Sequence, residues 1–320
     1  MTLLHQLLLL QKININMIKI NNTEIEFIKF PDGTCGLFDF NMEDIINKYE
    51  TNNFNFVWKY ESDEEYIRIK YLVDHIREKM GYITNLSLYV PYLPNTRMDR
   101  VKNDNEIFTL KYFANFLNSL CFNRVYILDP HSNVTTALIN NVSVLSINNY
   151  LNKCFYEIMK ENRLSSRNNV IVYFPDEGAF KRYKDNICFS ENEKLYGKKV
   201  RDWETGKILS LDVYNEREEK LNISYDFEIE TDIILPLENK VVLMVDDIIS
   251  YGGTLAYSAD KLKELGASDI YAYASHTENS VLDSEKGTLL KRLENETVKR
   301  IFTTDSIFNS ESEFVKVFKI

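Results

Sequence analysis

The chain has 320 residues, of which 44% are hydrophobic and 27% charged, and its formal net charge is −10. Such a composition is typical of a globular protein large enough for two ordinary domains. The negative charge argues against a nucleic-acid binder, because phosphate contacts need clustered Lys and Arg.

The first sixteen residues, MTLLHQLLLLQKININ, differ in character from the rest. Their apolar run is far shorter than the ~20 residues of a membrane span, and it lacks the basic region and cleavage site of a signal peptide. Residues 1–16 are interpreted as an N-terminal extension or a short apolar helix, with the first domain starting near Met17. The sequence therefore predicts no membrane association.

Five short apolar runs end in polar or special residues, and their β-branched and aromatic content predicts strands buried on both faces. They occupy residues 86–92, 124–130, 169–176, 240–247 and 269–276. Amphipathic helical patterns cover residues 65–80, 107–120 and 255–265. Strands that alternate with helices indicate βαβ units and an α/β fold with mostly parallel sheets.

The strand pattern occurs twice, which predicts two α/β domains, residues 17–150 and 151–320, each with helices flanking its sheet. In the second domain, Asn192–Gly206 is polar, Gly-punctuated and weakly periodic, and it predicts a mobile excursion between two strands. Four isolated cysteines without a C-x-x-C pair predict free thiols in a reducing compartment such as the cytoplasm.

The strongest chemical signal is VVLMVDDIISYGGT at residues 241–254. A hydrophobic strand runs into Asp246 and Asp247, and a loop with Gly252, Gly253 and Thr254 leads into a helix. Backbone N–H groups at a helix N-terminus can cradle a phosphate, and glycines allow positive φ and close approach. The two carboxylates can accept hydrogen bonds from adjacent sugar hydroxyls or hold a metal.

This segment resembles the phosphoribosyl-diphosphate-binding signature of the type I phosphoribosyltransferase fold. From about Phe30 to Phe318 the chain is similar to the ribose-phosphate diphosphokinase (PRPP synthetase) family. Besides residues 241–254, the segments that carry the resemblance are FPDG at 30–33, YVPYLPNTRMDR at 89–100, LDPHS at 128–132, FPDEGAFKR at 174–182, GASDIYAYASH at 266–276 and TTDSI at 303–307.

The resemblance implies two type I phosphoribosyltransferase-like domains, an ATP-side N-terminal one and a C-terminal one that binds ribose 5-phosphate. It implies a cytoplasmic, Mg²⁺-dependent enzyme of nucleotide biosynthesis that transfers the β,γ-diphosphate of ATP to ribose 5-phosphate. A homo-oligomer, dimer or higher, is expected. Relative to the family, the chain is expected to lack the first strand and helix and the last helix.

Individual residues receive roles from the same resemblance. Asp176 and His131 would hold Mg²⁺, although imidazole is an uncommon Mg²⁺ ligand and a role of His131 at the phosphates is equally compatible. Lys199 and Arg201 would act in catalysis on a flexible loop, with Lys198 as a competing register. The remaining assignments are ATP binding by Phe30, Asp32, Arg97, Asp99, Arg100 and His131, catalysis also by Arg97 and His131, and ribose 5-phosphate binding by Asp246, Asp247, Ser250, Tyr251, Gly252, Gly253 and Thr254.

Some positions depart from the family pattern. Thr34 stands where the family usually has Glu and Met98 where it usually has Gln, which predicts looser nucleotide selectivity. Ser250 and Tyr251 replace the common Asp-Thr of the phosphate loop. Two other functions stay open: a phosphoribosyltransferase that consumes the diphosphate, and a catalytically silent homologue with a regulatory role.

Overall fold

The computed structural model describes residues 12–13, 18–37, 40, 42–49, 52–101, 103–201, 208–225 and 233–320. The chain divides into two compact units, residues 1–145 and 146–320. The predicted domain limits and the extension over residues 1–16 stay predictions, and most of that extension lies outside the described residues. No described helix is long and apolar enough to cross a membrane.

The N-terminal unit contains a six-stranded sheet with the order β3-β2-β6-β7-β8-β9, in which β6 to β9 are parallel and β2 is antiparallel to its neighbours. A smaller antiparallel sheet joins β1, β4 and β5. The strands are β1 (Lys12–Ile13), β2 (Ile18–Ile20), β3 (Thr23–Glu24), β4 (Phe27–Lys29), β5 (Cys35–Gly36), β6 (Phe54–Trp58), β7 (Leu86–Tyr89), β8 (Arg124–Leu128) and β9 (Val142–Leu145), and the helices are α1 (Met42–Tyr49), α2 (Glu64–Met80), α3 (Thr109–Ser119) and α4 (Asn133–Leu138).

The C-terminal unit is built on a seven-stranded sheet with the order β12-β11-β10-β15-β16-β17-β18, parallel except for the edge strand β12. Its strands are β10 (Val170–Phe174), β11 (Lys194–Arg201), β12 (Ile208–Asn215), β13 (Ser224–Tyr225), β14 (Ile233–Ile234), β15 (Val241–Ile249), β16 (Asp269–Thr277), β17 (Arg300–Thr304) and β18 (Val315–Phe318), and its helices are α5 (Asn148–Asn162), α6 (Glu177–Tyr183), α7 (Gly253–Glu264) and α8 (Leu290–Glu294). Both units therefore confirm the predicted α/β class with mostly parallel sheets.

The five predicted strands correspond to β7, β8, β10, β15 and β16. Burial on both faces is confirmed for the three strands of the C-terminal unit, whereas β7 and β8 contain partly exposed residues between buried ones. Every residue of Val170–Phe174 is buried, and so are the first five residues of Val241–Ile249. Burying a side chain of this size contributes about 1.5–3 kcal/mol. These buried central strands hold in place the polar residues at their carboxyl ends.

The predicted mobile excursion over Asn192–Gly206 is wrong for most of its length. Lys194–Arg201 forms strand β11, which pairs with β10 on one side and β12 on the other. Leu195 and Tyr196 are buried at its start. Beyond Tyr196 the ladder with β12 continues alone and pairs the polar residues that follow. Residues 202–207 lie outside the described part of the chain.

The paired carboxylates do not end their strand, contrary to the prediction. β15 continues beyond Asp247 to Ile249, because β16 runs on beside it and pairs Ile248 with His276 and Ile249 with Thr277. Asp246 and Asp247 consequently project from opposite faces of one continuous strand.

Candidate active site

The candidate site of the C-terminal unit lies at the carboxyl edge of its sheet. Strands β10, β15 and β16 are parallel neighbours, so the segments that follow them meet at this edge. Those segments contain Asp176, the loop Ser250–Thr254 and Glu278. Ligands bind at this edge in open α/β sheets.

Asp176 begins helix α6 as its N-cap, with Oδ1 accepting a hydrogen bond from the backbone N–H of Ala179 at 2.9 Å. A carboxylate is favoured there by the exposed N–H groups and the helix dipole. The Asp176 side chain is half exposed, and its Oδ2 lies 3.9 Å from the Lys199 ammonium. One carboxylate oxygen is thus used by the fold, while the other faces the site.

Asp247 is almost fully buried and forms an ion pair with Arg182 of helix α6, whose Nη1 lies 2.6 Å from Asp247 Oδ1. Burial opposes the charge of Arg182, but the Asp247 carboxylate outweighs it and raises the pKa of the guanidinium. Burial and the neighbouring charge of Asp247 raise the pKa of Asp246 well above its ordinary value. The two adjacent carboxylates therefore have different environments and cannot be assigned one shared role.

The loop Ser250–Thr254 enters helix α7 through Gly252, which has φ 78° and serves as the N-cap. A Cβ at Gly252 would also collide with the side chain of Leu289. This position therefore requires glycine both for its positive φ and for lack of space. Gly253, by contrast, begins the helix without a positive φ, so the prediction of special backbone freedom is wrong there. A Cβ on Gly253 would meet only Thr288 Oγ1, at 3.5 Å.

The first residue of the loop is held by a carboxylate that sequence reasoning missed. The Ser250 hydroxyl donates to Glu278 Oε2 at 2.7 Å, and the Ser280 hydroxyl donates to the same oxygen at 3.0 Å. Tyr251, the next residue, is exposed, and its carbonyl accepts from Thr288 Oγ1 at 3.1 Å. Ser250 thus has a structural partner at the end of strand β16.

Lys199 reaches the loop from strand β11. Its Nζ donates to Thr254 Oγ1 at 3.1 Å, and its side chain is only 13% exposed. Lys198 projects from the other face, where its Nζ lies 3.3 Å from Glu177 Oε1 and 4.7 Å from the ring centroid of Tyr214. Of the two registers left open by the sequence, Lys199 is the one that contacts the loop.

Arg201 also lies on β11, at its last position. The pairing with β12 shifts register between Val200 and Arg201, so strand alternation does not carry over from Lys199. The Arg201 side chain lies outside the described part of the molecule. Its predicted catalytic role stays a prediction.

In the N-terminal unit, the basic candidates occupy the irregular segment between β7 and α3. Arg97 and Arg100 are exposed, whereas Asp99 is buried and accepts a hydrogen bond from Arg100 Nε at 2.9 Å. Burial raises the pKa of Asp99, but the Arg100 hydrogen bond and the charges of Arg100 and His131 outweigh it and hold the pKa below its ordinary value. Asp99 is therefore an anchor for this segment.

His131 follows strand β8 at the carboxyl edge of the six-stranded sheet, shortly before helix α4. Two residues earlier, Asp129 is buried and has φ 43°, a left-handed conformation that few non-glycine residues adopt. Strained backbone of this kind persists where the surroundings fix it, commonly at functional sites. This turn places His131 in the same electrostatic neighbourhood as Asp99.

The FPDG segment forms the turn between β4 and β5. The Phe30 N–H donates to the Thr34 carbonyl at 2.8 Å. Asp32 Oδ1 accepts from the Thr34 N–H at 3.0 Å and from its hydroxyl at 2.7 Å, and these bonds lower the pKa of Asp32. Thr34 therefore stabilises the turn that presents Phe30 and Asp32.

The C-terminal unit thus brings together Asp176, Lys199 and Thr254, while Asp247 turns to Arg182 instead. Across the described ranges, no group of three or more His, Cys, Asp and Glu side chains is arranged to hold a metal ion. For Arg182 the sequence offers a signal, because this charged residue lies in a short helix that begins after the N-cap Asp176. Glu278 gives no comparable sequence signal.

Comparison with curated proteins relates the chain to ribose-phosphate pyrophosphokinases. The protein of Thermococcus kodakarensis is 28% identical over 218 residues, which are 68% of this chain and 66% of that protein. The Clostridium perfringens protein is 27% identical over 235 residues, 73% of this chain and 64% of the relative. The Bacillus subtilis protein is 25% identical over 257 residues, 80% and 70% of the two chains. The first two matches span slightly less than two thirds of the relatives' length.

A solved structure, the phosphoribosylpyrophosphate synthetase from Mycobacterium smegmatis, superposes with a TM-score of 0.64 at 15% sequence identity. The superposition covers 92% of this chain and 85% of that one, so the likeness of fold extends through both units. No protein-family model matches the chain.

Proposed function

We propose that the chain, which is 25–28% identical to ribose-phosphate pyrophosphokinases over 68–80% of its length, transfers the β,γ-diphosphate of ATP to ribose 5-phosphate. The anomeric hydroxyl oxygen attacks the β-phosphorus, and the bond from that phosphorus to the α,β-bridging oxygen breaks. AMP leaves, and 5-phosphoribosyl 1-diphosphate forms.

The C-terminal unit supplies the ribose 5-phosphate subsite in this proposal. Backbone N–H groups of Ser250–Thr254 at the start of helix α7 would bind the phosphate, helped by the Thr254 hydroxyl. Asp246 would accept from the sugar hydroxyls. Asp247 shares that role in the sequence-based prediction, but its ion pair with Arg182 at 2.6 Å supports a task in holding strand and helix together.

The N-terminal unit supplies the ATP side. Arg97 and Arg100 are exposed at a sheet edge that also carries His131, and a guanidinium can donate two parallel hydrogen bonds to a phosphate. Phe30 and Asp32, presented by a hydrogen-bonded turn, would contact the adenosine. These groups position ATP and neutralise its charge, which is the protein's main contribution to phosphoryl transfer.

Magnesium belongs to the proposal through Asp176, and the metal role of His131 in the other unit stays a prediction from the sequence. The donor chemistry of Asp176 fits, since its half-exposed carboxylate offers a hard oxygen on the side away from the helix cap. Mg²⁺ is usually held by one or two carboxylates plus substrate phosphates and water, so Asp176 together with the phosphates of ATP could hold it. When bound, the ion would neutralise phosphate charge.

One observation carries the proposal: sequence similarity to pyrophosphokinases covers 68–80% of the chain and so involves both units. The test is incubation with ATP, ribose 5-phosphate and Mg²⁺, with AMP and ADP separated by chromatography. We expect AMP that depends on the sugar phosphate. Formation of ADP instead would contradict it. Absence of AMP, together with nucleotide formation from PRPP and a free base, would also contradict it.

Assembly and location are part of the same proposal. We expect a homo-oligomer, dimer or higher, in the cytoplasm, as in the sequence-based expectation, and all four cysteines are free thiols. Light scattering behind size-exclusion chromatography tests the assembly. A monomer at micromolar concentration would contradict it.

A further inference from the structure

Strand β11 passes unusually close to the end of strand β10 at Gly197. A Cβ on Gly197 would collide with the hydroxyl oxygen of Tyr173 and would lie 3.0 Å from both the Pro175 carbonyl oxygen and Leu211 Cδ1. The φ of Gly197 is not positive, so backbone freedom is not the reason for glycine here. The position requires glycine because there is no room for a side chain.

The atoms beneath Gly197 cannot easily give way. Tyr173 is fully buried, and its hydroxyl bonds to the buried hydroxyl of Ser258 at 3.1 Å. Ser258 lies on helix α7, the helix that begins at the phosphate loop. Tyr173 therefore links strand β10 to that helix, and β11 rests directly on the link.

Gly197 precedes Lys199 by two residues on the same strand, so the two project from the same face. The β11–β12 register is regular through this stretch and shifts only after Val200. Lys199 Nζ then reaches Thr254 Oγ1 at 3.1 Å and lies 3.9 Å from Asp176 Oδ2. Since hydrogen bonds weaken steeply beyond about 3.5 Å, an outward shift of roughly 1 Å in the strand would separate Lys199 from the loop.

We propose that Gly197 is a positioning residue that sets Lys199 on the phosphate loop, and that Lys199 belongs to the ribose 5-phosphate subsite before ATP binds. The identity of the ligand rests on the proposed function. The sequence-based expectation placed Lys199 on a flexible loop. Strand β11, paired with β12 at this position, instead holds the ammonium beside Thr254.

The electrostatics favour this assignment. The Lys199 side chain is 13% exposed, so its charge is screened less than that of an exposed lysine. It stands where a helix N-terminus already favours an anion. A phosphate on the loop would meet the ammonium without any rearrangement of the chain.

The experiment is a double-mutant cycle read out as ribose 5-phosphate affinity, by isothermal titration calorimetry without ATP or Mg²⁺. Gly197→Ala and Lys199→Met should each weaken binding by about ten- to hundredfold, the loss expected for one charge-assisted hydrogen bond. If Gly197 acts through Lys199, then Gly197→Ala should add little once residue 199 has lost its ammonium.

Tyr173→Phe provides the rescue. In the Gly197→Ala background it removes the nearest colliding atom, and we expect it to restore part of the lost affinity, because the Pro175 carbonyl oxygen and Leu211 Cδ1 still lie 3.0 Å from the added Cβ. Tyr173→Phe alone should bind nearly as wild type. Circular dichroism confirms folding of each variant, and the Lys199→Met arm, which creates no steric clash, keeps the test valid if Gly197→Ala unfolds.

The outcomes separate the two proposals. Wild-type protein that binds no ribose 5-phosphate would overturn both. Wild-type binding together with an unaffected Lys199→Met variant, an unaffected Gly197→Ala variant or an additive cycle would overturn only the positioning role.

Discussion

The two units present their candidate residues in opposite ways. In the C-terminal unit, Arg182 and Lys199 lie on regular elements, are largely buried, and are paired within the unit. In the N-terminal unit, Arg97 and Arg100 lie on an irregular segment and are exposed, with the Arg100 side chain 67% accessible. The positive charges of the C-terminal unit are thus fixed in place by the fold. Those of the N-terminal unit are instead accessible to a ligand from solvent.

The largest effect should come from the buried ion pair. Arg182→Met leaves the Asp247 carboxylate buried without its partner, which costs about 3–5 kcal/mol of unfolding free energy. Urea unfolding monitored by circular dichroism measures the loss. A second substitution, Asp247→Asn, should recover most of it by removing the uncompensated charge, and Asp246→Asn alone should cost little. Equal losses in the single and double variants would count against the buried pair as the cause.

The next prediction distinguishes the structural role of Asp176 as a helix N-cap from its proposed role in the reaction. Asp176→Asn keeps a good N-cap, so stability should change by less than ~0.5 kcal/mol, whereas the loss of charge should lower kcat/KM for MgATP by about 10²–10³-fold. His131→Ala should lower it similarly. Glu177→Gln, a charge loss at the next residue of the same helix, is the matched control and should stay active. Unchanged turnover in both Asp176→Asn and His131→Ala would contradict the proposal that these residues hold Mg²⁺.

A smaller effect is expected in the N-terminal unit. Arg100→Ala and Arg97→Ala should raise KM for ATP by roughly tenfold. Arg97→Ala should leave stability unaltered because that side chain is exposed, whereas Arg100→Ala also removes the hydrogen bond to buried Asp99 and should lower stability. The effect should shrink at high salt, since exposed charges are screened. Arg124, exposed at the amino end of strand β8, offers the control substitution Arg124→Ala. A salt-independent change, or an equal one at Arg124, would mean that these arginines do not contact the nucleotide.

The smallest effect concerns the base. Thr34 and Met98 depart from the family pattern, so GTP or CTP should support a measurable fraction of the ATP rate. The test compares several nucleoside triphosphates and detects the nucleoside monophosphate that each one releases. The double variant Thr34→Glu/Met98→Gln should accept fewer of these nucleotides. A strict ATP requirement in the unmodified protein would refute the prediction.

Local patterns were enough to predict the central strands and the glycine-containing turn into helix α7. The runs at residues 170–174 and 241–249 are almost wholly apolar, and a glycine at position 252 is demanded by a positive φ. These signals lie within a few residues of one another. They are read directly from the sequence because the physical requirement is local.

The rest depends on partners distant in sequence. Strand β11 contains four lysines and arginines among its eight residues, and only its ladders with β10 and β12 make it a strand. The ion pair of Asp247 with Arg182 and the hydroxyl bond of Ser250 to Glu278 likewise join remote segments. No periodicity in the sequence reports such contacts, so the sequence predicted an excursion and two equivalent carboxylates.

The pairing of β11 changes along its length, and this has a consequence for local opening. Amides in a strand bonded on both sides exchange with solvent only when a larger cooperative unit opens, whereas amides with fewer partners exchange more freely. The backbone N–H groups of the strand's first residues, up to Tyr196, should therefore exchange together with the neighbouring central strands, because β10 and β12 flank them. Beyond Tyr196 the strand pairs with β12 alone, so the segment that carries Lys199 should open in smaller and more frequent fluctuations than the centre of the sheet.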